Sequence, residues 1–307
     1  MKVNTAAKND IPIVFVHNGP SQVIVAACVA QAIAAGCKRI FVISDRNGPW
    51  RLFPQVTLFP FDHAEDFGAK QFREIFCNYS NYSETYAAII FEKFFALRAL
   101  FSRHSLHRIL YLDSDLLLFK SGAEMASIYE CDFCGTDLAI DNHETVSPHF
   151  MFLTPTVCER ICSDLMETYG SKEGHERLKQ LWKQKKEVHP DWGVCEMDFL
   201  GFVRDSGDFT FVRVNQGNPR VDATIQELEG FVGSDGMKSI LFENGMPYGK
   251  LEESGEKVFF YAIHLQGFVK HLVIHYAQLN KFSKKLLYGL FALERRGLLR
   301  WPKASCR

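Results

Sequence analysis

Residues 11–45 read IPIVFVHNGPSQVIVAACVAQAIAAGCKRIFVISD, and this stretch decides the fold. An apolar run rich in Ile and Val, Ile11–Val16, passes through a short polar loop into a long Ala-rich segment. This order predicts a strand, a loop and a helix, with Ser21 as the helix cap and Gly36 as its stop. A second apolar run, Arg39–Ser44, then completes a β-α-β unit, so we expect a parallel sheet.

Outward from this unit, the chain continues to alternate between predicted strands and helices. Ser83 can cap a helix to about Arg103, and apolar residues cover so much of its circumference that we expect it to be buried. The remaining predictions are a weak strand at 56–59, strands at 132–140, 149–154 and 258–263, and helices at 123–129, 155–169 and 172–186. The pattern predicts one enlarged α/β unit with an appendage.

The composition narrows the class of protein. The 307 residues include 35 Lys and Arg against 36 Asp and Glu, and the net charge of −1 argues against a protein built as a whole to bind nucleic acid. Residues 1–12 are polar and lack the features of a signal peptide, and no window of about 18 residues is uniformly apolar. Nine scattered Cys indicate reduced thiols. We therefore expect a cytoplasmic globular protein.

Two carboxylates stand between two apolar runs in the stretch RILYLDSDLLLF, residues 108–119. Burial of an unpaired carboxylate costs several kcal/mol, so Asp113 and Asp115 most simply share a divalent cation at the end of a strand. In the alternative interpretation, Asp113 caps a turn and Asp115 pairs with a Lys or Arg.

Two later segments carry further candidate residues. Residues 191–200, DWGVCEMDFL, mix three acidic residues with a Trp and large apolar groups, which is typical of a pocket wall. The predicted strand at 258–263 runs into His264-Leu265-Gln266-Gly267-Phe268-Val269-Lys270, which combines a metal-ligand type, a flexible backbone position and a cation.

Together the motifs YLDSDL at 111–116 and HLQGFVK at 264–270 resemble the metal-dependent glycosyltransferases of the GT-A fold. With the helix segment FEKFF at 91–95, they are most similar to glycosyltransferase family 8, the glycogenin and lipooligosaccharide galactosyltransferase group. The resemblance covers roughly residues 11–275. It implies a Rossmann-like, mostly parallel mixed sheet with helices on both faces, and residues 1–275 as a nucleotide-sugar-binding catalytic domain.

The resemblance also implies a metal site and its contacts with a diphosphate. Asp113, Asp115 and His264 would hold Mn²⁺ or Mg²⁺, which bridges the two phosphates of a nucleotide-sugar, and the imidazole ligand favours Mn²⁺. Gly267 would permit close backbone approach to the diphosphate, and Lys270 would add a positive charge to it.

The resemblance implies that the nucleotide-sugar is a UDP-hexose and that other residues hold the rest of it. His17, Asn18 and Asp45 sit where such folds bind uracil and ribose, and Ser114 would lie near the ribose. Lys93 would reach the D-x-D motif and the diphosphate. Their alternative interpretations are ordinary loop residues, a strand-end cap and a surface lysine.

On the acceptor side, Asp198 is the nearest match to the family's acidic motif, and Asp191 is its rival. The resemblance implies transfer of a hexose to a hydroxyl of a glycan or lipid-linked acceptor with retention of configuration. Because the leaving diphosphate can take the proton, the acidic residue would orient or stabilise the acceptor.

Two other functions remain open at this stage. A phosphatase of the haloacid dehalogenase type also uses a strand that ends in D-x-D, with Asp113 as its nucleophile. Leu117 stands where that pattern has Thr or Val, and His264 has no role in it. A non-catalytic nucleotide-sugar-binding module is the other alternative, although the predicted metal ligands and Lys270 are all present.

Residues 276–307 form a separate basic tail, with eight Lys or Arg and one Glu. Removing them leaves 27 basic and 35 acidic residues, an acidic body with a basic tail. Apolar residues recur at helical spacing at Leu279, Phe282, Leu286, Leu290 and Leu293. We expect an amphipathic helix that lies on anionic lipid at the inner face of a membrane, where an enzyme of polysaccharide biosynthesis could meet its acceptor. The sequence leaves the oligomeric state open.

Overall fold

The computed structural model describes residues 11–140 and 143–304, apart from the side chains at 138–140 and 143–144. The polar N-terminal segment and the last three residues of the tail therefore lie outside the described residues. The strands are β1 Ile13–His17, β2 Ile40–Ser44, β3 Val56–Pro60, β4 Ile109–Asp113, β5 Leu116–Leu118, β6 Phe133–Ile140, β7 His143–Ser147, β8 Phe150–Leu153, β9 Phe211–Arg213, β10 Arg220–Val221, β11 Gly233–Ser234, β12 Met237–Lys238, β13 Leu241–Glu243, β14 Met246–Lys250 and β15 Lys257–His264.

The helices follow the same alternation. They are α1 Gln22–Ala34, α2 Ala69–Ile75, α3 Glu84–His104, α4 Gly122–Ile128, α5 Pro155–Gly170, α6 Lys172–Val188, α7 Glu196–Asp205, α8 Val273–Tyr276 and α9 Lys281–Arg295. Short 3-10 helices cover Pro49–Leu52, Phe61–Phe67 and Gly267–Leu272. The strands and helices predicted above are confirmed, including the weak strand at 56–59.

The main sheet is parallel on one side and mixed on the other. Its order is β3-β2-β1-β4-β8-β6-β7, and β9 pairs with β6. The pairs from β3 to β4 are all parallel, as the β-α-β unit predicts, whereas β8 runs antiparallel to both β4 and β6. The carboxyl ends of β1, β2 and β4 therefore lie side by side, which is where an open α/β sheet binds its ligands.

Helices cover both faces of this sheet because successive strand residues point to opposite sides. In β1, Ile13 and Phe15 pack with α1, whereas Val14 packs with α3. Apolar residues surround α3 as the sequence predicts, and its Ser83 hydroxyl accepts the capping hydrogen bond from the Tyr86 N–H.

A smaller sheet brings the end of the chain to the main one. Its order is β10-β15-β14-β13, and β5 pairs with the last three residues of β15. The β5–β15 pairing is antiparallel and places His264 opposite Leu116. The Leu265 N–H also donates to the Asp115 carbonyl at 3.0 Å, so backbone pairing joins the two sequence motifs.

One predicted cap is wrong. Gly36 has a φ of +92° just beyond α1, as expected of a helix stop, but the Ser21 side chain makes no capping hydrogen bond. The Gln22 N–H at this helix end instead donates to Glu294 Oε1 at 3.0 Å. The cap comes from α9, which packs on α1 and which no local pattern near residue 21 could reveal.

Candidate metal and nucleotide-sugar site

The metal-ligating candidates converge at the carboxyl end of β4. Asp113 ends this strand, Asp115 lies in the turn before β5, and His264 ends β15. One ligand atom from each residue lies within 4.8 Å of those of the others. Residues 149 positions apart thus form one cluster, because β5 pairs with β15.

The orientation of His264 suits a metal ligand. Its Nδ1 lies 2.8 Å from the Ala223 carbonyl oxygen and donates to it, which leaves Nε2 facing the carboxylates, 3.4 Å from Asp115 Oδ1. An imidazole fixed in this way through its second nitrogen is the usual arrangement of a metal-bound histidine. Two carboxylates and one imidazole nitrogen fit Mn²⁺, and Mg²⁺ is the alternative for such hard ligands.

Opposite charges hold the cluster together. Burial raises the pKa of the Asp115 carboxyl, but hydrogen bonds and charges from His264 and Lys270 outweigh it, so the net pKa lies below its usual value. Burial lowers the pKa of His264, but Asp115 outweighs that effect and the net pKa is raised. Asp115 is therefore ionised and able to bind a cation.

Lys270 lies in the same cluster. Its Nζ is 2.8 Å from Asp115 Oδ2, and its side chain is 47% exposed, so the ammonium group can also meet a ligand from solvent. Gly267 begins the 3-10 helix that carries Lys270 and has a φ of +64°, a left-handed conformation that favours glycine. The structure thus brings the whole predicted 264–270 motif to the D-x-D motif.

Lys93 approaches the same cluster from α3. Its Nζ donates to Glu196 Oε1 at 3.0 Å and lies 5.4 Å from the centre of the Tyr111 ring. The Tyr111 hydroxyl in turn donates to Asp113 Oδ1 at 2.5 Å. Lys93 therefore connects to the D-x-D motif through Tyr111, with Glu196 as a partner that the sequence did not suggest.

The loops after β1 and β2 meet beside the D-x-D motif. His17 Nδ1 lies 3.0 Å from the Ser114 hydroxyl, and the Gly19 N–H donates to Asp45 Oδ1 at 3.1 Å. Burial, with the charge of Lys270, lowers the pKa of His17 to about 4, so its imidazole is neutral. Among the described residues, no group bonds its buried Nε2.

Asn18 lies beside a second space. It lines a neighbouring cavity of about 450 Å³ together with Arg73, Glu84 and Glu92. The structure therefore groups His17, Ser114 and Asp45 beside the metal cluster, and places Asn18 at the border of a second space.

The two acidic candidates near residue 195 have different surroundings. Asp198 is 1% exposed, its carboxylate accepts from Lys185 Nζ at 2.8 and 2.9 Å, and it also accepts from the Cys195 N–H at the start of α7. Asp191 is exposed and lines a cavity of about 240 Å³ with Tyr82, Thr145, Lys185 and Trp192, among other residues. Asp198 supports the wall of this cavity, whereas Asp191 faces its interior.

Sequence reasoning missed the residues behind His264. The His149 ring stacks on the His264 ring with 4.4 Å between centroids and an interplanar angle of 12°. Hydrogen bonds of 2.9 Å connect its two nitrogens to Thr136 and Ser147. Burial and the charge of His264 hold the pKa of His149 well below its usual value. No sequence spacing relates residue 149 to residue 264, so only the fold could reveal this support.

Comparison with known proteins identifies the fold. No family model matches the chain, and no curated protein does. Among solved structures, the bifunctional glycosyltransferase WbbM aligns with a TM-score of 0.51 and 12% identity, over 92% of this chain and 51% of that chain. The present chain thus spans about half of the WbbM chain.

Two other solved structures are similar at lower scores. The apo form of mouse xyloside xylosyltransferase 1 has a TM-score of 0.47 and 12% identity over 67% of this chain and 85% of that chain. A glycosyltransferase involved in glycosylation of the major capsid of PBCV-1 has a TM-score of 0.41 and 11% identity over 88% of this chain and 99% of that chain. The likeness to WbbM supports the predicted GT-A fold, which is confirmed.

Within the part of the chain that the structure describes, no helix is both long and apolar enough to cross a membrane.

Proposed function

We propose that this protein is a metal-dependent glycosyltransferase that moves a hexose from a nucleotide-sugar to an acceptor hydroxyl. The convergence of Asp113, Asp115 and His264, with Lys270 beside them, carries the proposal. These residues lie where the carboxyl ends of parallel strands bind ligands, on a fold shared with glycosyltransferases.

The cluster would bind the diphosphate of the nucleotide-sugar. Asp113, Asp115 and His264 would hold Mn²⁺ or Mg²⁺, which would supply positive charge for the departing nucleotide diphosphate. Lys270 adds a second cation, and Gly267 leaves room for a phosphate near the backbone. Glu196 accepts a hydrogen bond from Lys93, whose ammonium group lies over the Tyr111 ring, and the Tyr111 hydroxyl orients the Asp113 carboxylate.

The paired loops beside this cluster would hold the nucleoside. Ser114, Asp45 and neutral His17 offer hydrogen-bonding groups suited to a ribose and a base, and we assign uridine to this place from the sequence resemblance. Asn18, at the border of the neighbouring cavity, would meet the edge of the base.

The cavity of about 240 Å³ is our candidate acceptor site. Tyr82 and Trp192 offer aromatic faces, and Asp191, Lys185 and Thr145 offer polar groups, a combination that suits a sugar. The Thr145 hydroxyl is buried and has no partner among the described residues. We propose that Asp191 orients the acceptor, and that Asp198 acts through Lys185. Transfer would retain configuration, with the leaving diphosphate as proton acceptor.

A hydrolysis screen tests this function. Purified protein is incubated with UDP-glucose, UDP-galactose, their N-acetyl forms and GDP-sugars, with and without Mn²⁺. We expect Mn²⁺-dependent release of UDP, lost in Asp115→Ala and kept in Glu253→Gln, which changes an exposed carboxylate outside the metal cluster. No turnover of any nucleotide-sugar would contradict the proposal.

The same assay separates the alternatives. Turnover of p-nitrophenyl phosphate with Mg²⁺ that is insensitive to nucleotide would favour the phosphatase. Binding of UDP without any dependence on Mn²⁺, together with no hydrolysis, would favour the non-catalytic module. NMR of the product shows whether the anomeric configuration is retained.

We also propose that α9 contacts anionic lipid and brings the enzyme to a lipid-linked or membrane-bound glycan. Only part of the apolar face that the sequence predicts is free to contact lipid, because Leu279 and Leu290 pack on the core. Phe282, Leu286 and Leu293 remain exposed at spacings of four and seven residues, and basic residues flank them at 281, 285, 295 and 296.

Vesicle flotation tests this contact. The double variant Phe282→Ser, Leu286→Ser should lose binding to vesicles that contain phosphatidylglycerol, whereas Leu241→Ser, an exposed leucine on the smaller sheet, should bind like the wild type. Wild-type protein that does not float with anionic vesicles would contradict the contact, and equal binding to neutral vesicles would contradict its charge dependence.

A further inference from the structure

The end of the described chain pairs with the loop that follows β2. Residues 301–304, here called the strap, run antiparallel to residues 45–47, with Arg46 opposite Lys303. The Ala304 N–H donates to the Asp45 carbonyl and the Asn47 N–H donates to the Pro302 carbonyl, both at 2.8 Å. The strap thus fixes the backbone of Asp45, which the proposed function places at the nucleoside.

Gln22 connects this loop to the one after β1. It is fully buried, and its Nε2 donates to the Gly19 carbonyl at 2.8 Å and lies within bonding distance of the Ser44 hydroxyl at 3.3 Å. Its Oε1 accepts from the Trp50 indole N–H at 2.9 Å. Both nucleoside loops therefore depend on the position of one side chain at the start of α1.

Glu294 joins Gln22 to the strap. Its Oε1 accepts from the Gln22 N–H at 3.0 Å and from the Trp301 indole N–H at 2.8 Å. Trp301 is half-buried against the core. The carboxyl-terminal segment is therefore bonded to each loop, once directly at residues 45–47 and once through Glu294 and Gln22.

We propose that Glu294 and the strap are positioning residues for the nucleotide-sugar. This inference rests on the proposed function, since that function places the nucleoside at Asp45 and His17. The Asp45 carboxylate already accepts from the Gly19 N–H, so a displaced strap would disturb both loops at once. A preorganised site binds more tightly because the loops need not be ordered on binding.

A specific kinetic signature follows. Among the described residues, no hydrogen bond or ion pair joins the strap to Asp113, Asp115 or His264. Its loss should therefore weaken binding of the nucleotide-sugar and leave kcat and the acceptor KM nearly unchanged. Two hydrogen bonds of ordinary strength correspond to about a tenfold change in affinity.

Proline at position 304 tests the strap with a single change. Ala304→Pro removes the N–H that donates to Asp45, and Ala304→Ser keeps it, so the two variants form a matched pair. A second pair is a chain that ends after Arg300 and one that ends after Ala304. Binding of UDP with Mn²⁺ is measured by calorimetry, together with donor KM, acceptor KM, kcat and thermal unfolding.

Ala304→Pro loses one of the two hydrogen bonds, so we expect it to bind UDP about threefold more weakly than Ala304→Ser. The chain ending at Arg300 loses both, and we expect it to bind UDP about tenfold more weakly than the chain ending at Ala304. Equal UDP affinity within each pair would overturn the inference, and so would a parallel loss of kcat and acceptor affinity. If the wild type itself binds no UDP, the assignment of uridine to these loops fails and the inference falls with it. If the wild type binds UDP and the strap variants bind it equally well, the proposed function stands and the strap plays no part in binding the nucleotide-sugar.

Discussion

The D-x-D cluster and the segment 191–198 both bring carboxylates together beside large apolar groups, yet their carboxylates have different partners. Asp115 faces a histidine nitrogen, a second carboxylate and a half-exposed lysine, an arrangement open to a ligand. Asp198 is enclosed by Lys185 and a backbone N–H at a helix start. Carboxylates in apolar sequence thus indicate burial, and only their partners tell a ligand site from an internal ion pair.

Asp115→Ala should give the largest effect on activity. It removes one of three metal ligands and the partner of both His264 and Lys270, so we expect turnover to fall at least about a thousandfold. Rates of Mn²⁺-dependent transfer or hydrolysis measure it, and circular dichroism checks the fold. Activity within about tenfold of wild type would contradict the assignment of the D-x-D cluster as the ligand site.

Asp198→Asn should mainly affect stability. It leaves the buried Lys185 ammonium without its anionic partner, and breaking such a pair costs about 3 kcal/mol. Urea unfolding gives the free energy, and kcat is measured on the protein that remains folded. A large fall in kcat with unchanged stability would instead support a catalytic Asp198, which remains a prediction from the sequence.

Asp191→Asn should separate the acceptor from the nucleotide-sugar. Loss of one charged hydrogen-bonding group should raise the acceptor KM about tenfold, with donor hydrolysis nearly unchanged. Steady-state kinetics with each substrate varied in turn gives both constants. Glu253→Gln, which neutralises an exposed carboxylate that does not line this cavity, is the matched control. An equal rise in both KM values would contradict the assignment.

His149 should give the smallest effect, a change in pH dependence. Its pKa is well below the unfolded value of about 6.5, so the unfolded state binds more protons as the pH falls below 6.5, and folding stability declines there. His149→Asn should reduce this decline by about 1 kcal/mol per pH unit. Urea unfolding of metal-free protein between pH 7 and pH 5 measures it, and parallel curves for the two proteins would contradict the expectation.

Local patterns predicted most of the fold because the period of apolar residues and the helix caps are local properties. The β-α-β start, the buried helix at 84–104 and the strand that ends at Asp113 all follow from such patterns. The cap of α1 did not, because Glu294 lies 272 positions away from the N–H that it accepts. A contact between distant residues leaves no periodic mark in the sequence.

The candidate site, like the fold, is predictable from the sequence only in part. The ligand types at 113, 115, 264 and 270 were readable, since buried carboxylates and a strand that runs into His-x-x-Gly-x-x-Lys are unusual in apolar surroundings. The stacked ring of His149 and the partner of Asp198 were not, because they depend on which strands and helices become neighbours.

The order of residues is enough to predict an α/β chain with carboxylates at a strand end and a basic amphipathic helix near its carboxyl-terminal end. Which polar groups face one another depends on how the strands and helices pack. The β5–β15 pairing places His264 next to Asp115, and the buried Lys185 forms an ion pair with Asp198. One side of α9 packs on the core, and its other side is exposed to solvent. The physical reason is that burial and periodicity are set locally, whereas charge pairing is set by distance in space.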